Sequence, residues 1–193
     1  MKTTEILTWM LIGAAAIHSQ TSGAQRIDVT FTGGHETEPQ DHGRPDVLIA
    51  AALGVPTQVF REAFSHVTPA RGGAEPEPAQ VQRNHALLMR ALAPYGVTGD
   101  KLNTVSNYYR YNRSAGEQVW RVTPAAAYAT VRDGVVTGFT ITDPGSGYSS
   151  EPIVAIPGMP AVKITVKIGF HTDFKRNGSI EELALAQPPH GLY

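Results

Sequence analysis

The sequence predicts an α+β fold in which a helical block of about four helices is inserted between an N-terminal strand and a C-terminal antiparallel β-sheet. Three observations predict it. Residues 26–32 alternate polar and apolar side chains, as a half-buried strand does. Apolar residues within 59–67 recur at three- and four-residue spacing, which is typical of an amphipathic helix. Asp133-Gly134 lies between two stretches rich in β-branched residues and predicts a tight hairpin turn.

The N-terminus has the features of a secretory signal peptide over residues 1–24. Lys2 gives a weakly basic start, and an apolar run extends from Ile6 to Ile17. Such a run forms about 18 Å of helix, too short to cross a hydrocarbon core of roughly 30 Å. Ser22-Gly23-Ala24 fits the small-x-small cleavage pattern. The sequence therefore predicts an exported mature protein, periplasmic or extracellular, that begins at Gln25 and has no transmembrane segment after cleavage.

Composition limits the classes of function. The chain contains no cysteine, which excludes disulfides, thiol catalysis and cysteine metal sites. The net charge is −1, with 16 Lys and Arg against 17 Asp and Glu. Because the chain lacks the positive field that favours nucleic acid, we expect no nucleic-acid partner. We expect residues 25–193 to form a single α+β domain, with a helical lobe over 44–112 and a β lobe over 120–186.

Helix boundaries are indicated by prolines, glycines and one capping residue. Pro45 suits the first turn of a first helix, and Gly54 is placed to end it. Pro56 suits the start of a second helix. Because this start follows the end of the first helix at once, the two helices are predicted to form a tight helical hairpin. Pro78 opens a third helix. Thr98 is the predicted N-cap of a fourth.

The second half of the chain predicts β-strands. Residues 135–142 and 153–156 are rich in β-branched side chains. Residues 162–168 alternate apolar and polar side chains, as expected for a half-buried strand. Asn177-Gly178 predicts another turn before a last strand over 180–185. We expect residues 187–193 to form a loose tail.

One segment of this β region resembles a short β-repeat of many bacterial exported, surface and phage-tail proteins. The pattern is G-S-G-Y-x-x-x-P-x-V, present as Gly145, Ser146, Gly147, Tyr148, Pro152 and Val154. The resemblance implies a structural strand-turn-strand element and a surface location, and no activity. The wider layout resembles uncharacterised exported bacterial proteins of similar length, from which no function can be carried over.

The polar loop between residues 35 and 44 is the first candidate site. His35, Asp41 and His42 have the imidazole and carboxylate groups that bind zinc or another divalent ion, so a divalent metal ion is the candidate cofactor. Their spacing matches no standard metal motif. The alternative is a solvated loop whose carboxylates cap the next helix or pair with Arg44.

A cluster of aromatic and arginine residues is the second candidate site. The candidate binding residues are Tyr108, Tyr109, Arg110, Tyr111, Arg113 and Trp120. Aromatic and guanidinium faces can stack on a sugar ring or hold an anionic group, which makes a carbohydrate, an anionic ligand or another exported protein the candidate partner. The alternative is that these aromatic residues pack a helix against the sheet.

Catalytic signatures are absent from the sequence. It contains no G-x-S-x-G, H-E-x-x-H, G-x-x-x-x-G-K-[ST] or G-x-G-x-x-G pattern. The leading hypothesis is a secreted or periplasmic non-catalytic binding or structural module. The alternative is a metal-binding protein or metal-dependent enzyme that uses the loop from His35 to His42.

Overall fold

The computed structural model of the chain describes residues 23–68, 77–112 and 115–186. Two strands come first, β1 (Gln25–Asp28) and β2 (Thr30–Thr32). Four helices follow, α1 (Asp46–Leu53), α2 (Thr57–Ser65), α3 (Pro78–Leu92) and α4 (Gly99–Tyr108). The remaining strands are β3 (Ala126–Arg132), β4 (Val135–Asp143), β5 (Ile153–Ala155), β6 (Ile164–Gly169) and β7 (Ser179–Leu185). The predicted α+β class is confirmed; residues 1–22 of the predicted signal peptide and the predicted tail lie outside the described residues.

The predicted N-terminal strand is divided in two at Val29. β1 pairs antiparallel with β3, whereas β2 pairs antiparallel with β5. Val29 is buried between them, and its N–H donates to the carbonyl oxygen of Ala127 at 3.0 Å. The first strand therefore joins the C-terminal strands, but it contributes to two small sheets where the alternating pattern predicted one continuous strand.

The hairpin predicted at Asp133-Gly134 is confirmed. β3 and β4 pair antiparallel with Arg132 opposite Val135, so two residues form the turn. Asp133 has a φ of 51° and Gly134 a φ of 77°. A type I′ turn requires positive φ at both central residues, and Asp and Gly are among those that accept it most readily.

The four helices enclose an apolar core. α1 ends at Gly54, whose φ is 76°, and α2 begins three residues later. Thr98 caps α4 as predicted, because its hydroxyl oxygen accepts a hydrogen bond from the N–H of Lys101 at 3.2 Å. The largest buried apolar side chains of this core are Leu48, Leu53, Phe60, Leu92 and Leu102. Across the described residues no single helix has the length and apolar character to cross a membrane; α1 and α2, bent by 111°, meet that criterion only as a pair.

Asn177 connects the helical lobe to the β lobe. The turn predicted at Asn177-Gly178 is present, since the N–H of Ser179 donates across it to the carbonyl oxygen of Arg176 at 3.2 Å. The Asn177 side chain, however, points into the core and is 0% exposed. Its Nδ2 donates to the carbonyl oxygen of Leu48 at 2.7 Å and to the hydroxyl of Tyr109 at 2.8 Å. A turn residue thus joins α1, α4 and the β lobe.

Residues 145–148, which carry the G-S-G-Y pattern, form a second junction. Ser146 exchanges two backbone hydrogen bonds with Thr123, each 2.9 Å long. The carbonyl oxygen of Gly147 accepts a hydrogen bond from the indole N–H of Trp120 at 2.9 Å. All four residues are buried. In this chain the segment therefore packs between the end of β4 and the stretch that leads into β3.

Candidate functional site

A partly buried ion pair fixes the loop before α1. A short 3-10 helix, Pro39–Asp41, lies within this loop and places Asp41 in the interior, where it is 2% exposed. Its Oδ1 accepts from Nε of Arg61 at 2.7 Å, and its Oδ2 accepts from Nη2 at 2.9 Å. Two parallel charge-assisted bonds of this kind are stronger and more directional than a single contact. The pair ties the loop to α2.

A second carboxylate lies beside this pair. Asp46, the first residue of α1, is 1% exposed, and its Oδ1 accepts from Nε of Arg44 at 3.2 Å. Burial raises the pKa of Asp46 from 3.8 to about 6; the positive charge of Arg44 opposes the rise, and the neighbouring charge of Asp41 adds to it. We call Asp41, Arg44, Asp46 and Arg61 the charge network.

A cleft of about 370 Å³ opens between the two lobes beside the charge network. Its floor includes three members of the network, Asp41, Asp46 and Arg61. Its β-lobe wall consists of Ser149, Ser150 and Phe170. Pockets of roughly 300–1,000 Å³ at the junction of two structural units are common sites for small ligands. We call this pocket the interlobe cleft.

Glu36 fastens the loop to the β-lobe wall of the cleft. The hydroxyl of Ser150 donates to Oε2 of Glu36 and accepts the Glu36 N–H, and the Ser149 hydroxyl donates to the Glu36 carbonyl oxygen at 2.7 Å. The bond from Ser150 holds the pKa of the Glu36 carboxyl below its ordinary value. The shape of the cleft is therefore fixed on the loop side before any ligand enters.

Several polar groups in the cleft are available to a ligand. In the portion of the chain that the structure describes, no hydrogen bond engages the side chains of Thr37, Glu38 or Thr57, which all line the cleft. Phe170 is 41% exposed at the same place. The cleft thus offers one carboxylate, two hydroxyls and one aromatic ring above a rigid charged floor.

The structure does not bring His35, Asp41 and His42 together. The His35 ring stacks on Tyr148 with centroids 5.1 Å apart, and its buried Nδ1 has no hydrogen-bond partner among the described residues. Both Asp41 oxygens bind Arg61, and His42 is exposed on a left-handed turn with φ 50°. Over residues 23–68, 77–112 and 115–186, no three His, Asp or Glu side chains form a group that could hold a metal ion.

Three of the six predicted binding residues belong to the helical core or pack against it. Tyr109 and Trp120 are buried. Tyr108 stacks on Phe174, with ring centroids 4.1 Å apart and planes 9° from parallel. These three rings therefore serve the packing of the helical core, which was the alternative considered for them.

The other three predicted binding residues have different surroundings. The Tyr111 hydroxyl donates to the carbonyl oxygen of Gly43 at 2.6 Å and helps hold the loop before α1. Arg110 is exposed. Arg113 lies outside the described residues. The five of these side chains that the structure describes therefore do not form one flat surface, but Arg110 and Tyr111 line a pocket of the helical lobe.

Sequence reasoning missed Asp46, Arg61 and Phe170. Asp46 offered a usable signal, because it is the only charged residue in the segment DVLIAAAL, and a lone charge on a buried helix needs a partner. The sequence contains no signal that identifies Arg61, since no spacing rule relates it to Asp41, 20 residues earlier. Phe170 follows β6 directly and reads as one more apolar strand residue.

Replacing Asp46 by asparagine is expected to change how stability depends on pH. Because the folded-state pKa of about 6 lies above 3.8, Asp46 binds its proton more tightly in the folded protein, and its ionisation lowers stability as pH rises through this interval. The unfolding free energy of the wild type minus that of Asp46→Asn should fall by about 2 kcal/mol between about pH 4 and pH 7. Urea unfolding at several pH values measures this difference. An exposed control, Asp28→Asn, should show no such trend, and a flat or rising difference for Asp46→Asn would contradict the assignment.

Arginine side chains engage both aspartates at the floor of the cleft. The Asp46 carboxyl accepts from Nε of Arg44, and the neighbouring charge of Asp41 contributes to its raised pKa. Asp41 is also held on both oxygens by Arg61.

Comparisons of this chain with protein-family models, curated proteins and solved structures gave no match.

Proposed function

We propose that this protein is an exported, non-catalytic binding module that holds a carbohydrate in the interlobe cleft. The observation that carries the proposal is the combination of a rigid charged floor, unengaged polar side chains and an exposed aromatic ring in one cleft. The predicted signal peptide supports an extracellular or periplasmic site of action.

The chemistry of a sugar ring fits the groups in the cleft. A pyranose has an apolar face of C–H groups and an edge of hydroxyls. Phe170 offers an aromatic face to the first, and Glu38, Thr37 and Thr57 offer acceptors and donors to the second. Because the Asp41–Arg61 pair and the Glu36–Ser150 contact already fix the cleft, little conformational entropy is lost when a ligand binds.

The charge of the cleft favours one kind of sugar. Among the described residues that line it, four carry carboxyl groups, Glu36, Glu38, Asp41 and Asp46, and one carries a positive charge, Arg61. The resulting negative potential attracts positively charged ligands and repels negatively charged ones. We therefore expect amino sugars to bind most tightly, neutral sugars less tightly and uronic acids least.

The test is a set of calorimetric titrations with a glucosamine trisaccharide and a galacturonic acid trisaccharide. Tight binding of the first and weak binding of the second are expected. Phe170→Ala should weaken glucosamine binding by about tenfold, because an aromatic contact contributes about 1 kcal/mol or more. Tyr95→Ala removes another exposed ring, 51% exposed and outside the cleft, and should leave the affinity unchanged.

A charge variant tests the sign of the potential separately. Glu38→Gln keeps the shape of the side chain and removes one negative charge, so it should weaken binding of the glucosamine trisaccharide and reduce its dependence on salt. Glu182→Gln, on the exposed face of β7, is the matched control. The proposal fails if the acidic trisaccharide binds as well as the basic one, or if Phe170→Ala and Glu38→Gln both bind like the wild type.

A further inference from the structure

A pocket of about 240 Å³ lies in the helical lobe between α1, α2 and α4. Its walls are apolar and include Ile49, Phe60 and Phe64. Ile49 and Phe60 are buried, so these walls belong to the packed helical core and do not depend on mobile surface side chains. Two guanidinium groups, those of Arg44 and Arg110, line the same pocket, and we call it the arginine pocket.

Arg44 is held in place for a ligand. Its guanidinium carbon lies 3.6 Å from the centroid of the Phe64 ring, and its Nε donates to Asp46. These two contacts fix the plane of the group. Its two Nη atoms donate to no acceptor in the described part of the chain, so they remain available for a second, bidentate contact.

Arg110 supplies a second positive charge. Its side chain is exposed and makes no hydrogen bond or ion pair with any residue that the structure describes. Ser106, one turn earlier on α4, presents a hydroxyl to the same pocket that is likewise without a hydrogen bond among those residues. No acidic side chain appears among the described residues that line the pocket, in contrast to the interlobe cleft.

These features define the ligand by its chemistry. An apolar cavity of this size accommodates one aromatic ring, and guanidinium groups at its mouth recognise a carboxylate. We propose that the arginine pocket binds a small aromatic monocarboxylate, with the ring against Ile49, Phe60 and Phe64 and the carboxylate held by Arg44 and Arg110. This site is separate from the interlobe cleft, with which it shares only Pro45 among the described lining residues.

The proposal is tested with benzoate and with its uncharged analogue benzamide. Calorimetric titration of the purified protein should show benzoate binding with a Kd of about 1 mM or tighter, which is reasonable for a ligand of this size. Benzamide, which has the same ring and no charge, should bind about tenfold more weakly. Benzoate affinity should also decrease as salt concentration rises.

Matched arginine variants identify the contact. Arg110→Gln should weaken benzoate binding by about tenfold without affecting folding, because the side chain is exposed and has no partner in the described structure. Arg83→Gln, an exposed arginine on α3 outside the pocket, should bind benzoate like the wild type.

The position of the ligand separates this site from the interlobe cleft. In an NMR titration, benzoate should shift the amide signals of Ser106 and Tyr111 and leave those of Ser149 and Ser150 unchanged. The proposal is overturned by benzamide binding as tightly as benzoate, by an unchanged affinity of Arg110→Gln, by shifts confined to Ser149 and Ser150, or by no binding at about 10 mM benzoate. A failed carbohydrate titration does not bear on it.

Discussion

Replacing Asn177 by alanine is expected to lower the free energy of unfolding by about 3 to 5 kcal/mol, which is a large part of the stability of a domain of this size. The substitution leaves the carbonyl oxygen of Leu48, the hydroxyl of Tyr109 and the N–H of His171 without their Asn177 partner. Each unsatisfied buried polar group costs about 1–3 kcal/mol, and the lost side-chain volume adds to the total. Urea or thermal unfolding measures the effect.

Asn177→Asp sharpens this test because it keeps the size of the side chain. At neutral pH the carboxylate places one acceptor oxygen where the amide nitrogen donated two hydrogen bonds, and this oxygen faces the carbonyl oxygen of Leu48 with no proton between them. The aspartate variant should therefore also be severely destabilised. Asn103→Asp, at an exposed position of α4, makes the same chemical change without buried partners and should alter stability little. If Asn177→Asp unfolds at the same denaturant concentration as the wild type, Asn177 does not join the lobes as described.

Replacing Gly145 by alanine is also expected to lower stability by about 3 to 5 kcal/mol. Two effects add. The residue has a φ of 62°, where a side chain costs about 1–2 kcal/mol. In addition, a Cβ here would lie 2.5 Å from the carbonyl oxygen of Thr123 and 2.7 Å from the backbone N of Ala125, so backbone would have to move.

Gly134→Ala is the internal control for this second prediction. Gly134 has a φ of 77°, but a Cβ there meets no atom within 4 Å. It should therefore show only the backbone cost of about 1–2 kcal/mol. The difference between the two variants isolates the close approach at Gly145; equal losses of stability would mean that the contact with Thr123 relaxes freely.

Local patterns predicted the elements of this fold well because each depends on neighbours in sequence. Asp133 and Gly134 determine their turn through their own φ preferences, and Thr98 caps α4 through an N–H only three residues away. Alternation in residues 26–32 predicted a strand, but it could not show that Val29 moves the chain from one sheet to another. That change of sheet depends on which strands, distant in sequence, lie beside residues 25–32 in the folded chain.

The candidate site was less accessible to sequence reasoning because its contacts are long-range. Asn177 and Gly178 predicted a turn, yet the amide binds partners 129 and 68 residues away. The histidines of the polar loop suggested a metal site, but the buried charged residue of the loop is Asp41. No sequence pattern predicts that Asp41 pairs with Arg61. Residues close in sequence can face different neighbours, and His35 and His42 do so.

The binding of carbohydrate in the interlobe cleft is tested most directly by a heteronuclear NMR titration of the purified protein with the glucosamine trisaccharide. We predict that the amide signals of Thr57, Ser149 and Ser150 shift as the sugar is added, while those of Ser106 and Tyr111 in the arginine pocket stay unchanged. The galacturonic acid trisaccharide should shift them much less at the same concentration. Carbohydrate binding in the interlobe cleft is contradicted if the glucosamine trisaccharide leaves Thr57, Ser149 and Ser150 unshifted at about 10 mM, or if the acidic trisaccharide shifts them equally.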